Sequence, residues 1–350
     1  MRAIVVEKQG NPVTPNIRFH TNWPDPAPPK TGWALLRTMA TALNQMDLWV
    51  GRGVPGLELL YPRISGCDAC ARVEAVGDAA DSAWIGKHVI VNAALRVPER
   101  MRPEEGTGAK LAPNYELIGE HHHGMLAERF LAPLSNLAVV NADSQDSAAS
   151  AAAFGLCGLT AWSMMVTKGQ LRPGQPVLIT GIGGGVATAA LSIAKHMGCP
   201  TIVTSRKQEK LDRAKSLGAE HGVLDSGQDW SREIRSLTAK RGVDMAVDSS
   251  GKATHLNCIK SLARGGAYVT PGCTSGPDAT TDLARIFWNQ LRLLGSTMGS
   301  NDEFREIAAL FRAGKLFSVV DRVFDAADAA DAYRRLEAAE QFGKIVIRWD

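Results

Sequence analysis

The middle of the sequence predicts an α/β fold in which a parallel sheet is covered by helices. Between residues 176 and 299, short apolar runs alternate with helical segments, and this alternation is typical of parallel sheets with crossover connections. The apolar runs fall at residues 177–180, 201–204, 245–247, 267–269 and 291–294. Residues 1–140 instead show strand-like alternation with many glycine and proline breaks, which indicates a mainly-β region. The tail predicts amphipathic helices near 304–313 and 326–339 and a last strand at 344–348.

Length and composition indicate a globular protein of two domains. The chain has 350 residues, of which 45% are hydrophobic and 21% charged, and its formal net charge is +3. The charges are spread along the chain, so no nucleic-acid partner is expected. Residues 147–167 are uncharged but rich in Ala, Ser and Gly, which predicts a buried helix pair rather than a membrane span. The six cysteines follow no disulfide spacing, and residues 1–10 predict a strand rather than a signal peptide, so we expect a cytoplasmic protein.

A glycine cluster follows the first apolar run of the predicted parallel sheet. Residues 177–187 read as a buried strand, a turn and the start of an Ala-rich helix that continues to about Met197. Glycine permits turn angles that side chains oppose, and it lets a pyrophosphate approach the N–H groups of the helix start. The order of strand, loop, helix and second strand predicts a Rossmann dinucleotide-binding domain. The predicted phosphate contacts are Gly181, Gly183, Gly184 and Gly185, with Ala187 packing the helix against the sheet.

The end of the second predicted strand indicates which dinucleotide binds. Folds that prefer NAD place Asp or Glu about 20 residues after the loop, where the carboxylate binds the ribose 2′-OH. Here the strand ends in Ser205, Arg206 and Lys207, so two cations are available for a 2′-phosphate. The alternative is a solvated basic turn. The sequence therefore predicts NADP(H).

The ordered set of motifs resembles the medium-chain dehydrogenase/reductase superfamily over nearly the whole chain. The motifs lie at residues 42–49, 65–68, 73–77, 86–89, 159–162, 177–187, 247–251, 295–299 and 342–346. The resemblance implies a GroES-like, mainly-β catalytic domain formed by residues 1–140 and 301–350, with the Rossmann domain, residues 141–300, inserted between them. It also implies cofactor contacts beyond the glycine loop, at Asn44, Thr160, Val186, Ser249, Gly272 and Lys344.

The same resemblance implies that the chain lacks zinc. Zinc-dependent members bind a catalytic metal through Cys, His and Cys with a nearby Glu, and these positions match Asn44, Cys67, Leu156 and Asp68. One thiol beside an amide and a leucine does not provide the three N, S or O ligands of a catalytic zinc, even if Cys157 replaces Leu156. A structural zinc would need four cysteines at residues 93–116, which hold none. That segment reads as a solvated loop with Arg96, Glu99, Arg100, Arg102, Glu104 and Glu105.

Two sequence features favour other chemistry and keep alternatives open. Cys67 and Cys70 form a C-x-x-C motif, which small-residue packing explains as well as redox activity does. Residues 121–123 are three histidines, which could bind a metal. Because successive strand residues point to opposite faces, a role near the substrate or in the structure is the preferred interpretation.

The resemblance points to the zinc-independent, quinone oxidoreductase-like branch, where Asn44 would lie by the nicotinamide. The expected reaction is hydride transfer from NADPH to a quinone or enone. The predicted catalytic residues are Asn44, Tyr61, Arg63 and His122. The alternatives are a zinc-type alcohol dehydrogenase with atypical ligands and a non-catalytic NADPH-binding protein. The apolar strand near residues 291–297 predicts pairing with a second copy, as a homodimer or homotetramer.

Overall fold

The computed structural model describes residues 1–96 and 115–349, which form two compact units. Unit 1 comprises Met1–Leu156, Gly299–Gly314 and Ser318–Asp350, and unit 2 comprises Cys157–Met298 and Lys315–Phe317. The sequence placed the domain changes after residues 140 and 300, whereas the compact units change after Leu156 and Met298.

The strands of the described chain follow one another in this order: β1 (Ala3–Val6), β2 (Ile17–His20), β3 (Trp33–Ala42), β4 (Arg63–Ile64), β5 (Ala69–Val76), β6 (His88–Val91), β7 (Ala94–Leu95), β8 (Glu116–Leu117), β9 (Arg129–Pro133), β10 (Leu137–Val139), β11 (Val177–Ile179), β12 (Thr201–Ser205), β13 (His221–Leu224), β14 (Val243–Val247), β15 (Leu262–Thr270), β16 (Arg292–Gly295), β17 (Val320–Asp325) and β18 (Lys344–Arg348). The α-helices are α1 (Gln45–Arg52), α2 (Gln145–Trp162), α3 (Gly185–His196), α4 (Gln208–Ser216), α5 (Ser231–Leu237), α6 (His255–Ser261), α7 (Leu283–Asn289), α8 (Asn301–Arg312) and α9 (Ala329–Glu337).

Unit 2 contains a six-stranded parallel sheet in the order β13-β12-β11-β14-β15-β16. Numbered within the sheet, this is the order 3-2-1-4-5-6 of the doubly wound Rossmann fold, so the predicted fold class is confirmed for this unit. The central strand β11 is buried throughout, as expected for a strand covered by helices on both faces. The sequence missed β13, because its residues are short of large apolar side chains and only Val223 is fully buried.

Unit 1 is built from antiparallel pairing around β3. The larger sheet runs β10-β6-β5-β3-β18-β17, and β9 also pairs with β3. A second sheet runs β2-β1-β4, and α9 packs its buried side chains Ala332, Tyr333 and Leu336 into the core beside β1 and β18. The helix turns these residues inward because they recur at helical spacing. The sequence predicted α8, α9 and β18 but missed α1 and β17.

The uncharged stretch at residues 147–167 does not form the expected helix pair. It lies in one helix, α2, that continues without a break into the π-helical turn Ser163–Lys168. The helix Gln145–Lys168 is long and apolar enough to cross a membrane, yet most of its residues are buried inside the protein. The stretch contains no proline, and glycine inside a helix costs only about 1 kcal/mol relative to alanine, so no residue there forces a break between two helices.

The predicted solvated loop at residues 93–116 falls mostly outside the described residues. Ala94 and Leu95 at its start form β7 and are buried, so this end of the segment is a strand rather than a loop. Arg96 is exposed. The other charged residues of that prediction, Glu99, Arg100, Arg102, Glu104 and Glu105, are not described.

Candidate functional site

Three neighbouring strands of unit 1 bring a polar cluster together. In the sheet, β3 lies between β5 and β18, with Thr41 paired to Ala69 and Ala42 paired to Val346. Asn44 follows the end of β3, Asp68 precedes β5, and Lys344 begins β18. Because β5 and β18 both run antiparallel to β3, their first residues lie beside the last residues of β3. The sheet register therefore places these three side chains at one edge.

The side chains of this cluster are hydrogen-bonded to one another. The Asn44 amide Nδ2 donates to Asp68 Oδ2 at 3.2 Å and lies 3.4 Å from Cys67 Sγ. The ammonium of Lys344 donates to Asn44 Oδ1 and lies 2.9 Å from Asp68 Oδ2. The other carboxylate oxygen, Oδ1, accepts a 2.8 Å hydrogen bond from the Leu156 N–H. The Lys344 and Asp68 side chains are only 4% and 1% exposed, so this is a buried ion pair.

A second buried carboxylate, Asp47, lies in the first turn of α1. Its oxygens accept hydrogen bonds from the Asn44 N–H at 2.7 Å and from the Ser65 hydroxyl at 2.7 Å. The Ser65 hydroxyl is also 2.9 Å from the Tyr333 hydroxyl. Burial raises the pKa of Asp47, while these hydrogen bonds and the charge of Lys344 oppose the rise. Asp47 thus links the start of α1 to α9 inside the core.

The other predicted catalytic residues make their contacts elsewhere in unit 1. Tyr61 donates its hydroxyl hydrogen to the Val50 carbonyl. Arg63 is buried, and its guanidinium donates to the carbonyls of Glu120 and His122. Burial lowers the pKa of Arg63 and raises that of Tyr61. Their catalytic roles remain predictions.

The three histidines do not lie on a strand, contrary to the expectation from alternation. His121 falls in a turn after β8, and each ring has a different partner. The Nδ1 atom of His121 accepts from the Leu117 N–H at 3.2 Å, and His122 Nε2 lies 2.6 Å from Glu116 Oε2. His123 Nδ1 accepts from the Ile64 N–H at 3.1 Å. The three rings therefore bond to different partners rather than to a common one.

The two cysteines of the C-x-x-C motif are both buried, and they form no disulfide with each other. Burial raises the pKa of the Cys70 thiol to about 12, so this thiol stays protonated at neutral pH. A protonated thiol is a poor nucleophile. The burial of Cys70 and its raised pKa support the interpretation that this residue packs in the core rather than taking part in redox chemistry.

The glycine loop in unit 2 connects β11 to α3. Gly181 and Gly183 have φ angles of 61° and 115°, in the region that side chains oppose. Gly184, the N-cap of α3, has φ −74° and ψ 153°, so its backbone does not require glycine. A Cβ there would meet only the Gly181 carbonyl oxygen, at 3.7 Å. The loop therefore leaves room beside the first turn of a 12-residue helix, whose N–H groups and dipole favour an anion.

The basic strand end lies on the next strand of the same sheet. β12 ends at the buried Ser205, and the exposed Arg206 and Lys207 follow before α4 begins. The Ser205 hydroxyl accepts the Lys207 N–H at 3.2 Å, which fixes this turn. The Lys207 ammonium is 3.7 Å from the Glu209 carboxylate, and a pair this exposed contributes little stability.

Asp248, which the sequence analysis did not select, organises the carboxyl edge of this sheet. It follows β14 and is fully buried. Its carboxylate accepts hydrogen bonds from the hydroxyls of Thr180 at 2.6 Å, Thr254 at 2.8 Å and Tyr268 at 2.9 Å, and from the Ser250 N–H at 3.0 Å. Burial and the nearby Asp248 charge raise the pKa of Tyr268, so the phenol remains a donor. One carboxylate thus ties together the ends of β11, β14 and β15.

The remaining predicted cofactor contacts lie in unit 2, apart from Asn44 and Lys344 in unit 1. Val186 is in the first turn of α3, and Thr160 is buried in α2. Ser249 follows β14, and its carbonyl accepts the Thr274 N–H at 3.2 Å. Gly272 follows β15, and a Cβ added there would meet no atom within 4 Å. Because parallel strands end at one edge, these loops and the glycine loop share the edge where such sheets bind nucleotides.

The doubly wound sheet, the glycine loop and the small residues at its carboxyl edge define a nicotinamide-dinucleotide-dependent oxidoreductase. Residues 30–142 match the family model described as alcohol dehydrogenase GroES-like domain, and residues 185–313 match the model described as zinc-binding dehydrogenase. The expected GroES-like part of the fold is therefore confirmed. The chain belongs to the medium-chain dehydrogenase/reductase superfamily.

Full-length relatives agree on the family and differ in their names. The chain is 31% identical to a zinc-type alcohol dehydrogenase-like protein, YogA, of Leptosphaeria maculans, over 89% of each chain. It is 27% identical to a 2-haloacrylate reductase of a Burkholderia species, over 99% of this chain and 98% of the relative. A crystal structure of an NAD-dependent alcohol dehydrogenase superposes with a TM-score of 0.92 and 37% identity, covering all of both chains.

The names of the family model and of YogA imply zinc, but the described residues do not fit it. Among residues 1–96 and 115–349, no group of three His, Cys, Asp or Glu side chains is placed to hold a metal ion. Asn44 offers an amide beside the single thiol of Cys67, and the Asp68 carboxylate already pairs with the Lys344 ammonium. Leu156 contributes only its N–H. No step of the chemistry is therefore assigned to a metal.

Proposed function

We propose that this protein is an NADPH-dependent reductase of conjugated carbonyl compounds, quinones or α,β-unsaturated carbonyls, that works without a metal. The observation that carries the proposal is the donor set around Asn44, where an amide, a single thiol and a paired carboxylate stand in the positions matched to zinc ligands. The similarity to a 2-haloacrylate reductase supports a conjugated substrate.

The substrate class follows from where negative charge develops. Hydride added to a simple ketone leaves the charge on one alkoxide oxygen, which a Lewis acid would normally stabilise. Hydride added to the far carbon of an enone or quinone spreads the charge into an enolate or phenolate. A site without a metal then needs mainly positioning and hydrogen-bond donors. Bound NADPH would supply the hydride.

The preference for NADPH rests on the basic end of β12. Arg206 and Lys207 are exposed directly after the buried Ser205, and their positive charge favours a ribose 2′-phosphate. Because a structural relative is named an NAD-dependent alcohol dehydrogenase, the preference for NADPH over NADH has to be measured directly. We expect NADPH to bind at least about tenfold more tightly than NADH in a fluorescence titration, about 1.4 kcal/mol.

A double variant, Arg206→Ser with Lys207→Ser, isolates the cause of this preference. It should weaken NADPH binding and leave NADH binding unchanged. Arg264→Ser, which removes an exposed cation from β15, is the matched control and should change neither affinity. Equal affinity of the parent for both cofactors would refute the NADPH assignment.

A substrate screen tests the reaction itself. NADPH oxidation would be followed by absorbance with a quinone, an enone, 2-chloroacrylate and a saturated ketone, and alcohol oxidation would be followed with NAD⁺ and NADP⁺. We expect turnover with the conjugated acceptors and little with the saturated ketone. Faster alcohol oxidation that depends on added zinc would assign the protein to the alcohol dehydrogenases instead. Cofactor binding without turnover on any acceptor would indicate a non-catalytic NADPH-binding protein.

We also propose that the protein pairs with a second copy of itself in the cytoplasm. β16 is the edge strand of the six-stranded sheet, and Leu293 on it is 41% exposed. Phe287 and Trp288 on the preceding helix α7 are also largely exposed, at 70% and 71%. An open apolar edge tends to be paired or covered. None of the six cysteines, all of which lie in the described part of the chain, forms a disulfide, which suits a reducing compartment.

A further inference from the structure

Two rings of the histidine run hold their turn in place by accepting backbone hydrogen bonds. The Nδ1 atom of His121 accepts from the Leu117 N–H at 3.2 Å, and the Nδ1 atom of His123 accepts from the Ile64 N–H at 3.1 Å. Because a backbone N–H can only donate, each Nδ1 must offer a lone pair, so each ring is neutral with its hydrogen on Nε2. These two bonds fasten the turn, residues 118–124, to β8 and to β4.

Protonation would reverse both contacts. A protonated Nδ1 carries a hydrogen, which would face the hydrogen of the backbone N–H that the ring accepts when neutral. His121 has another partner in that state, because its Nδ1 lies 3.5 Å from a Glu120 carboxylate oxygen. Burial, and the charges of Arg63 and His122, lower the pKa of His123, so its bond to the backbone persists until the pH is below the ordinary histidine range. The turn therefore has one arrangement for neutral rings and another for charged rings.

The other ionisable groups around the turn do not make the two bonds that fasten it. On the described segments packed around it, these groups include Tyr61, Arg63, Glu116, Glu120, His122 and Asp47, with the His20–Glu7 pair behind the Trp23 ring. The Arg63 guanidinium donates to the carbonyls of Glu120 and His122 and keeps its charge as the pH falls. Burial raises the pKa of Glu120, and the charge of Arg63 opposes that rise. His122 Nε2 is already paired with Glu116, at 2.6 Å.

The turn packs against the wall beside Asn44. Gly119 leaves no room for a side chain, since a Cβ there would lie 2.4 Å from the Gly66 carbonyl oxygen and 3.0 Å from the Met46 methyl carbon. Met46 is in the first turn of the helix that follows Asn44, and Gly66 directly precedes Cys67. A movement of the turn therefore changes the packing of both segments that flank the Asn44 cluster.

We propose that this turn is a pH-operated switch, closed while His121 and His123 are neutral and opened when their Nδ1 atoms take up protons from solvent. In the closed state the turn supports the wall beside Asn44. In the open state His121 pairs with Glu120, and His123 leaves the Ile64 N–H. Opening binds two protons, one at each ring, so it responds to pH more steeply than a single group would. The switch itself needs no substrate, and only its effect on turnover rests on the proposed function.

Hydrogen–deuterium exchange of the whole protein, followed by mass spectrometry, tests the switch. Between about pH 7.5 and about pH 5, the protection factors of residues 115–124 and 63–66 should fall at least about tenfold, because each proton bound only in the open state favours that state by up to about tenfold per pH unit. The central strand β11 should keep its protection, which separates a local opening from unfolding of the protein.

The double variant His121→Asn with His123→Asn isolates the two rings, since the asparagine amide oxygen can accept at the position of Nδ1 but takes up no proton. The protection of its turn should change less than about twofold over the same pH range. Each single variant should show a shallower dependence on pH than the parent. His196→Asn, which replaces an exposed histidine of α3, is the matched control and should respond like the parent.

Constant protection of the turn in the parent protein would refute the switch without any variant. An unchanged pH dependence in the double variant, or in both single variants if the double variant does not fold, would assign the opening to other groups and would also overturn it.

Kinetics test the effect on the wall beside Asn44. At about pH 5, kcat for enone or quinone reduction should fall at least about twofold further in the parent than in the double variant, because only the parent opens. Identical pH profiles of kcat would overturn this effect. Absence of turnover by the parent at every pH would instead refute the proposed function, while the exchange measurement would still decide the switch.

Discussion

Replacement of Gly184 tests the dinucleotide site most directly, because the structure separates folding from binding at this position. Gly184 has φ −74° and ψ 153°, angles that alanine and valine also adopt, so the expected strain from a restricted turn is absent. A Cβ would meet only the Gly181 carbonyl oxygen, at an ordinary contact distance of 3.7 Å. A side chain therefore fits the protein and takes up space beside the first turn of α3.

The expected change in stability is small because two effects oppose each other. Replacing a glycine N-cap by alanine costs about 0.5–1 kcal/mol, slightly less than replacing a serine or aspartate there. The alanine also restricts the unfolded chain, which stabilises the fold by about 0.4–1 kcal/mol. The free energy of unfolding of Gly184→Ala should thus stay within about 0.5 kcal/mol of the parent. Gly183→Ala should lose more, because Gly183 has φ 115°.

The effect on cofactor binding should be much larger than the effect on stability. A methyl group beside the α3 N-terminus crowds the pyrophosphate, so we expect the dissociation constant of NADPH to rise at least about tenfold for Gly184→Ala, or 1.4 kcal/mol, and further for Gly184→Val. At saturating NADPH, kcat should be unchanged, because the loop holds phosphate rather than the reacting carbon. The assays are fluorescence titration of NADPH and urea unfolding followed by circular dichroism.

Gly295→Ala is the matched control, because a Cβ there meets no atom within 4 Å and the residue lies in the same unit. It should bind NADPH like the parent. If a folded Gly184→Val binds NADPH with unchanged affinity, the loop is not the pyrophosphate site.

Three further predictions concern stability and assembly. Gly77→Ala should lower the free energy of unfolding by about 3 kcal/mol in urea titration, because its Cβ would lie 2.0 Å from the Lys30 carbonyl oxygen; an unchanged midpoint would contradict this packing. Burial, with the neighbouring charges of Arg63 and His122, lowers the pKa of His123. As the pH falls below about 6.5, His123 is therefore protonated in the unfolded chain before it is protonated in the folded one, and the free energy of unfolding should decrease. His123→Gln should make this pH dependence less steep, and an identical slope in the two proteins would contradict the prediction. Leu293→Lys should convert a dimer to a monomer in light scattering at micromolar concentration, and a monomeric parent would remove the basis for pairing through β16.

Much of unit 2 could be predicted from the sequence because its signals are local. The β11 strand is a continuous apolar run, since a strand covered on both faces needs no polar side. Positive φ requires glycine at Gly181 and Gly183, within a few residues of the end of this strand. Arg206 and Lys207 directly follow the strand that presents them. In each case, the physical requirement and the residue that meets it are neighbours in the chain.

The sequence was less informative where an element is short or only partly buried. β13 and β17 were missed because few of their side chains are apolar and buried, so no periodic pattern marks them. The histidine run looked like a strand, but hydrogen bonds from the N–H groups of Leu117 and Ile64 to the rings of His121 and His123 accompany a turn. In both the missed strands and the histidine turn, contacts with residues outside the segment determine its conformation more than its own sequence pattern does.

The two buried polar clusters, one around Asp68 and Lys344 and the other around Asp248, depended on the tertiary structure. Asp68 and Lys344 are 276 residues apart in the chain, and only the register of β5, β3 and β18 brings their charges within 2.9 Å. No local pattern in the sequence distinguishes Asp248 from the other acidic residues. In the structure, the hydroxyls of Thr180, after β11, and Tyr268, in β15, donate hydrogen bonds to its carboxylate. The sequence by itself determined the fold class, the glycine loop and the basic strand end, since these follow from local conformation and composition. Tertiary structure decided which buried charges neutralise each other, because a charge removed from water needs a partner, and the sheet register chooses that partner from anywhere in the chain.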